Sequence, residues 1–247
     1  MSNASEGTPS RQERTYRTNA VVLRTYKSGE ADRIVVLMTE AEGKVRAIAK
    51  GARKSKRTAA LLDSLGHIDV QMYRGKGDLD TVTQVQSVDS FSAIRSDLDR
   101  FTRAASFVEA VDHVMPDREP HEQMYRMLVG ALRTVDGKNH TLTSAGFFLK
   151  LLALEGLEPV LDRCVSCGDT EGLVSFDPVN CGTRCNSCRS GIPLSDEGIR
   201  ICRLILTGGL AAALKLPDSP VLADVNHLAT TMFEHQTERR LKSLSTI

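Results

Sequence analysis

Two Cys-x-x-Cys pairs, Cys164-Val165-Ser166-Cys167 and Cys185-Asn186-Ser187-Cys188, lie with seventeen residues between them. That spacing falls within the C-x2-C-x15–20-C-x2-C pattern of a zinc site. A Cys-x-x-Cys turn aims two thiolates at one point, and two such turns supply the four sulfurs of a tetrahedral Zn²⁺. Gly168, Gly182 and Gly191 lie where tight turns are needed. Six cysteines in 247 residues are too sparse for a disulfide scaffold. Four sulfurs leave no open position for water, so the expected Zn²⁺ is structural rather than catalytic. Cys181, four residues before Cys185, is a competing ligand. Cys202 lies among Ile199, Ile201, Leu204 and Ile205 and reads as a small core hydrophobe.

The chain on either side of this knuckle has two characters. Residues 20–26, 33–39, 44–49, 67–73 and 81–88 are β-rich segments separated by turn signals such as Ser28-Gly29-Glu30 and Ala41-Glu42-Gly43. Residues 44–49 alternate with period two, which places Val45, Ala47 and Ala49 on one face and Lys44, Arg46 and Ile48 on the other. A short helix is expected over 59–65. Three strands, a helix and two strands are the order of an OB-fold barrel, an architecture that binds oligonucleotides on its surface. Beyond Asp89 the spacing becomes helical. Ile94, Leu98, Phe101, Ala105, Val108, Val111 and Met115 predict one helix ended by Pro116. Met124, Leu128, Leu132 and Val135 predict a second, and Phe147, Phe148, Leu151, Leu152 and Leu154 a third. Ser195-Asp196-Glu197 reads as a further helix start, interrupted later by Gly208-Gly209, with closing helices from Pro220 to about Leu244.

The expected fold is therefore α+β and multidomain. A disordered tail spans 1–18, an OB-fold domain 19–89, and an all-α domain 90–247 with the zinc knuckle inserted at 164–188. There the knuckle would staple the long connection from Gly156 to Ser195. The polar N-terminus has no apolar stretch of a signal peptide, and no run approaches eighteen apolar residues. A cytoplasmic protein with no membrane partner is the expectation.

Lys and Arg total 32 against 31 for Asp and Glu, so the whole chain is balanced. Its distribution is not. Between Glu42 and Asp63 there is no acidic residue, while Lys44, Arg46, Lys50, Arg53, Lys54, Lys56 and Arg57 put seven cations in fourteen positions. Phosphate neutralisation releases counterions and drives binding, so this interval reads as a groove for a nucleic-acid backbone. Arg24, Lys27, Arg33, Arg74 and Lys76 extend it, and Tyr26 and Tyr73 are candidate stacking platforms. The sequence contains no zinc-deaminase signature, HExxH, Walker A loop or G-x-S-x-G, and its six histidines are scattered. A non-enzymatic protein is expected. The alternative reading is a zinc-containing regulator of transcription that reads duplex sequence.

The segments VLRTYKSGEADRI at 22–34, GKVRAIAKGARK at 43–54, YRGKGDLDTV at 73–82, LDRC at 161–164 and IPLS at 192–195 resemble the bacterial RecO recombination-mediator family. The resemblance spans roughly residues 19–206. It implies an N-terminal OB-fold, a helical C-terminal domain and often a four-cysteine zinc site. It further implies binding of single- and double-stranded DNA, annealing of complementary strands, and partnership with RecR and the single-stranded-DNA-binding protein, so that RecA loads during repair. A cytoplasmic, nucleoid-associated protein follows. The expected DNA contacts are Arg24, Arg33, Lys44, Arg46, Lys50, Arg53, Lys54, Arg57, Arg74 and Lys76. Those for the metal are Cys164, Cys167, Cys185 and Cys188.

Overall fold

The structure, a computed structural model, describes residues 14–244. The tail expected over 1–18 lies outside the described residues as far as residue 13; beyond Arg14 the chain is already strand. Two compact units are present among the described residues, one of residues 14–90 and 115–129, the other of residues 91–114 and 130–244.

The first unit is built on five strands: β1 (Thr15–Ser28), β2 (Asp32–Thr39), β3 (Gly43–Ala49), β4 (His67–Tyr73) and β5 (Leu79–Asp89). They close into a barrel in the order β1-β2-β3-β5-β4, with β1 returning to pair with β4. The pairs are antiparallel except β3–β5, which is parallel over Arg46–Ile48 opposite Leu79–Thr81. This is the expected OB-fold order. Closing five strands requires a stagger. A walk across paired residues from Tyr26 to Ile34, Ile48, Thr81 and Tyr73 returns to β1 at Thr15, eleven positions from its start. One of those positions is absorbed by a bulge at Leu23. Small and branched side chains fill the interior, among them Ala20, Val22, Val35, Ala47, Ala49 and Val70.

The helix α1 (Lys56–Leu61) begins three residues before the expected start, because Ser55 is its N-cap and accepts from the Thr58 N–H at 3.2 Å. The segment 115–129 is tied to the barrel by backbone and side-chain bonds. The Arg118 N–H donates to the Lys44 carbonyl at 2.7 Å. Arg118 pairs with Asp80 at 2.9 Å. The buried His67 ring lies between Asp89 (2.8 Å) and the Tyr125 hydroxyl (2.9 Å).

The second unit is helical, with α2 (Ser92–Ser96), α3 (Leu98–Val114), the later part of α4 (Glu122–Gly137), α5 (Leu142–Leu154), α6 (Asp196–Leu204), α7 (Leu210–Ala213) and α8 (Pro220–Gln236). The single helix expected from Ile94 to Met115 is two. Asp97 is extended (φ −131°, ψ 124°) and its carboxylate accepts from the Arg100 N–H at 3.0 Å, so a new helix starts there with its phase reset. Leu98 and Phe101, expected to face inward, are exposed, while Phe107, Val108 and Val111 are buried. Around α5 the aromatic core is continuous. Phe107 stacks on Phe147 at 4.3 Å, and Phe148 meets Phe233 of α8 at 5.1 Å. Ser195 caps α6 through the Gly198 N–H at 3.2 Å, and Gly208 at φ +92° breaks the helix that follows. The knuckle adds a three-stranded antiparallel sheet of β6 (Leu173–Asp177), β7 (Gly182–Cys185) and β8 (Ile192–Pro193), in the order β7-β6-β8. Among the described residues, no helix is long and apolar enough to cross a membrane.

Gly43 is the position on which the docking of segment 115–129 turns. Its φ is +69°, and a Cβ there would sit 1.9 Å from the Glu119 carbonyl oxygen. Gly43→Ala therefore incurs the left-handed backbone cost, about 1–3 kcal/mol, and the clash besides. Its urea midpoint should fall clearly below wild type. Gly77→Ala, where a Cβ meets nothing within 4 Å, should leave the midpoint unchanged or slightly raised.

Candidate nucleic-acid interface and metal centre

On the barrel, alternation along β3 sends Val45, Ala47 and Ala49 inward, each 3% exposed or less, and leaves Arg46 exposed. Register places Arg24 and Arg46 on either side of Val36, all on the outer face. Two residues further along, Tyr26, Ile34 and Ile48 form the next row. Tyr26 is 45% exposed, and its hydroxyl accepts from Arg24 at 3.4 Å. The face of β1–β3 thus carries cations flanking a half-exposed apolar and aromatic strip, the surface on which OB-folds take oligonucleotides.

After β3 the chain turns through a 3-10 segment, Ala52–Lys54, anchored to the β1–β2 turn. The Gly51 N–H donates to Asp32 at 2.7 Å, and the Arg53 N–H to the Ala31 carbonyl at 2.9 Å. The Arg53 guanidinium reaches the Gly29 carbonyl at 3.2 Å. These bonds fix the path of the basic interval while its other side chains project.

The ten expected contacts divide by environment. Arg33 donates to the Ala59 carbonyl at 2.8 Å and pairs with Asp63 at 3.2 Å; only 19% of its side chain is exposed. It holds α1. Lys44, 13% exposed, pairs with Asp117 at 3.5 Å. Arg74 pairs with Glu42 and lies 5.1 Å over the Tyr16 ring. The charges of these three are largely answered within the protein. Arg46, Lys50, Lys54, Arg57 and Lys76 are exposed and have no acidic partner among the described residues. Lys56, outside the expected set, is exposed beside them.

Sequence reasoning did not anticipate the role of Asp80. Buried and pointing inward, it accepts from the Gly75 N–H at 3.0 Å, from Arg118 at 2.9 Å and from the Tyr16 hydroxyl. Burial pushes its pKa up, but these three donors outweigh burial and hold the carboxyl below the usual carboxylate range. Burial and the facing Asp80 carboxylate raise the Tyr16 phenol well above its ordinary value. Asp80 thereby fixes the β4–β5 loop that carries Arg74 and Lys76. A depressed folded-state pKa means that Asp80 contributes stability at neutral pH. That contribution disappears as pH falls through the acid range.

In the second unit, the four cysteines of the two pairs converge, with every Sγ within 4.8 Å of the others. Cys167 and Cys185 are 3.6 Å apart. Zn–S bonds of about 2.3 Å in a tetrahedron require sulfur separations near 3.8 Å, so the cluster has the size and donor set of an S4 metal site. The knuckle's backbone shapes it. Gly168, at φ +84°, donates to the Cys164 carbonyl at 2.8 Å, and the Val165 N–H to the Thr183 carbonyl at 2.9 Å. Backbone N–H groups of Cys185, Cys167 and Ser166 favour the thiolate at Cys164, whose pKa falls to about 6. At Cys167 the Asp169 N–H also favours thiolate, but hydrogen bonds with the other three thiols prevail and push it up to about 12. Four thiolates at this range repel one another unless a cation sits between them. Cys181 is outside the cluster, at φ +49° with its sulfur 3.7 Å from the Leu157 carbonyl. Cys202 is fully buried, as expected of a core residue.

A basic OB-fold barrel joined in one chain to a helical unit with a four-cysteine centre defines a narrow class of protein. Residues 14–91 match the family Recombination protein O N terminal, and residues 95–245 match Recombination protein O C terminal. The DNA repair protein RecO of Cutibacterium acnes is 38% identical over 241 residues, covering 93% of this chain and 97% of that protein. The proteins of the same name from a Nocardioides species and from Symbiobacterium thermophilum are 35% and 36% identical, covering 93% and 92% of this chain. The chain belongs to the RecO family of DNA repair and recombination proteins.

The metal centre makes a sharp prediction. Cys185→Ser should lose bound metal, measured by elemental analysis, and lower the melting temperature of the helical unit. Cys181→Ser should keep the wild-type metal content. Metal retained in the first variant and lost in the second would reverse the ligand assignment.

Proposed function

We propose that this protein is a non-enzymatic mediator of DNA repair whose barrel binds single- and double-stranded DNA by the phosphate backbone. The observation that carries this reading is the set Arg46, Lys50, Lys54, Arg57 and Lys76, exposed and without an acidic partner among the described residues, on an OB-fold barrel. Arg24 and Tyr26 on the adjoining outer face and Arg53 on the anchored turn add to that surface. Arg33, Lys44 and Arg74 act as braces that shape it. Annealing follows from charge neutralisation, since two strands whose phosphates face lysine and arginine approach without full mutual repulsion. RecR and the single-stranded-DNA-binding protein are the partners in this reading, and RecA loading is the outcome. The four-cysteine centre takes Zn²⁺ in a structural role, holding the knuckle between α5 and α6. In this reading the protein acts in the cytoplasm, at the nucleoid.

Reversing charge at three exposed positions together, Arg46→Glu, Lys50→Glu and Lys54→Glu, tests the reading. The affinity for a single-stranded oligonucleotide at low salt should fall by roughly tenfold or more. The slope of log K against log salt should shrink by about 2, at about 0.7 per lost phosphate contact. Shuffling the oligonucleotide sequence should change little. Unchanged affinity and slope in the triple variant would sink the proposal, and a strong dependence on sequence would favour a duplex-reading regulator instead.

A further inference from the structure

The barrel is paired unevenly around its circumference. β3 and β5 are hydrogen-bonded only over Arg46–Ile48 and Leu79–Thr81, and β3 then ends and the chain turns away at Lys50. From Val82 onward β5 pairs with β4 on one side alone. The gap between β5 and the α1 segment is an open cleft of about 580 Å³. Its floor is apolar, made by Leu61, Val82 and Val85, which pack against the barrel core. Its remaining lining is polar, with Thr58, Gln84 and Gln86, and carries the cations Lys50 and Arg57. A second open cleft, of about 510 Å³, shares Thr83 and Gln84 with the first and continues across the β4–β5 pair to Tyr73 of β4. Among the described residues, no acidic side chain lines either one.

We propose that the cleft between α1 and β5 is a subsite for an unpaired nucleobase of the bound strand. Each part of the lining answers a part of a nucleotide. The apolar floor takes the face of the base, as apolar and aromatic surfaces do in single-strand binding. The Gln84 and Gln86 amides each offer both a donor and an acceptor, so they match base edges without selecting one sequence. Lys50 and Arg57 neutralise the flanking phosphates. Tyr73, in the adjoining cleft, offers a ring to the next base along the strand. A paired base, stacked within a duplex, cannot enter a cleft walled on two sides. The site therefore distinguishes unpaired from paired DNA, while the exposed cations elsewhere on the barrel serve both. This inference rests on the DNA-binding reading above and assigns part of that surface a separate task.

Fluorescence anisotropy with three probes of equal length tests it: an intact single strand, the same strand made of abasic sites, and the corresponding duplex. The wild-type protein should bind the intact strand at least fivefold more tightly than the abasic one. The exposed pair Gln84→Ala and Gln86→Ala should bring that ratio near one while duplex affinity stays at the wild-type value. A single strand carrying 4-thiothymidine should photo-crosslink to the peptide containing residues 79–89. Equal binding of intact and abasic strands by the wild type, an undiminished ratio in the double variant, or crosslinks confined to other peptides would each overturn the subsite while leaving backbone binding intact. Failure of the wild type to bind any of the three probes would instead overturn the reading on which the subsite rests.

Discussion

Everything the barrel does depends on its closure by a single fourteen-residue strand. β1 pairs with β4 along its first half and with β2 along its second, so one continuous segment supplies both edges of the seam. Two features make that possible. The bulge at Leu23 shifts the phase of the strand as it changes partners, so that Val22 points inside and Arg24, two residues on, points outside. The alanines at 20, 47, 49 and 52 keep the interior narrow enough for five strands. With the interior closed by small side chains, the outward positions are released from core packing. Those positions carry the cations and Tyr26. The functional surface is the outer complement of a packing solution.

Charge on that surface acts through geometry more than through number. The sequence is nearly neutral, and its basic interval stands out because acids are missing from residues 43–62. Yet cations of this surface find acids from elsewhere in the chain. Within the interval Lys44 meets Asp117, from a segment more than seventy residues away, and before it Arg33 meets Asp63. A count along the sequence cannot register such long-range neutralisation. The structure separates cations that brace the barrel from those left for a ligand, and the second group is the larger and more exposed. Asp80 makes the same point in reverse. It sits in a turn-rich stretch beside Gly75 and Gly77, where an acid reads as surface, yet it is the buried hub that fixes the loop carrying Lys76.

What was legible in the sequence follows the strength of the local signal. The limits of β4 were readable to the residue, because 67–73 alternates cleanly between turn signals. The helix α1 was displaced because its cap, Ser55, is embedded in a basic run whose apolar periodicity begins only at Ala59. The break at Asp97 was hidden because Ile94, Leu98 and Phe101 keep helical spacing across it; a capping carboxylate overrode periodicity. The strands of the knuckle, five, four and two residues long, are too short to show a period at all.

The knuckle also shows why spacing alone left the fourth ligand open. Cys181, Thr183 and Cys185 share parity, so in a regular strand the Cys181 and Cys185 sulfurs would project to one side. β7, however, starts at Gly182, and Cys181 occupies the preceding turn at φ +49°. The left-handed backbone rotates its side chain out of register with the strand and aims the sulfur at the Leu157 carbonyl. Gly182 then passes so close to Val160 and Val165 that a Cβ would lie 2.2 Å from a Val165 methyl. That close approach brings the two cysteine loops together. The Val160 N–H bonds the Cys181 carbonyl at 2.9 Å, and the Val165 N–H bonds Thr183 at 2.9 Å, in effect clamping the first loop along β7. The four-sulfur cluster thus depends on a glycine contact at the start of β7, one residue before Thr183 and three before Cys185. A side chain at 182 would push the loops apart, and the thiols with them.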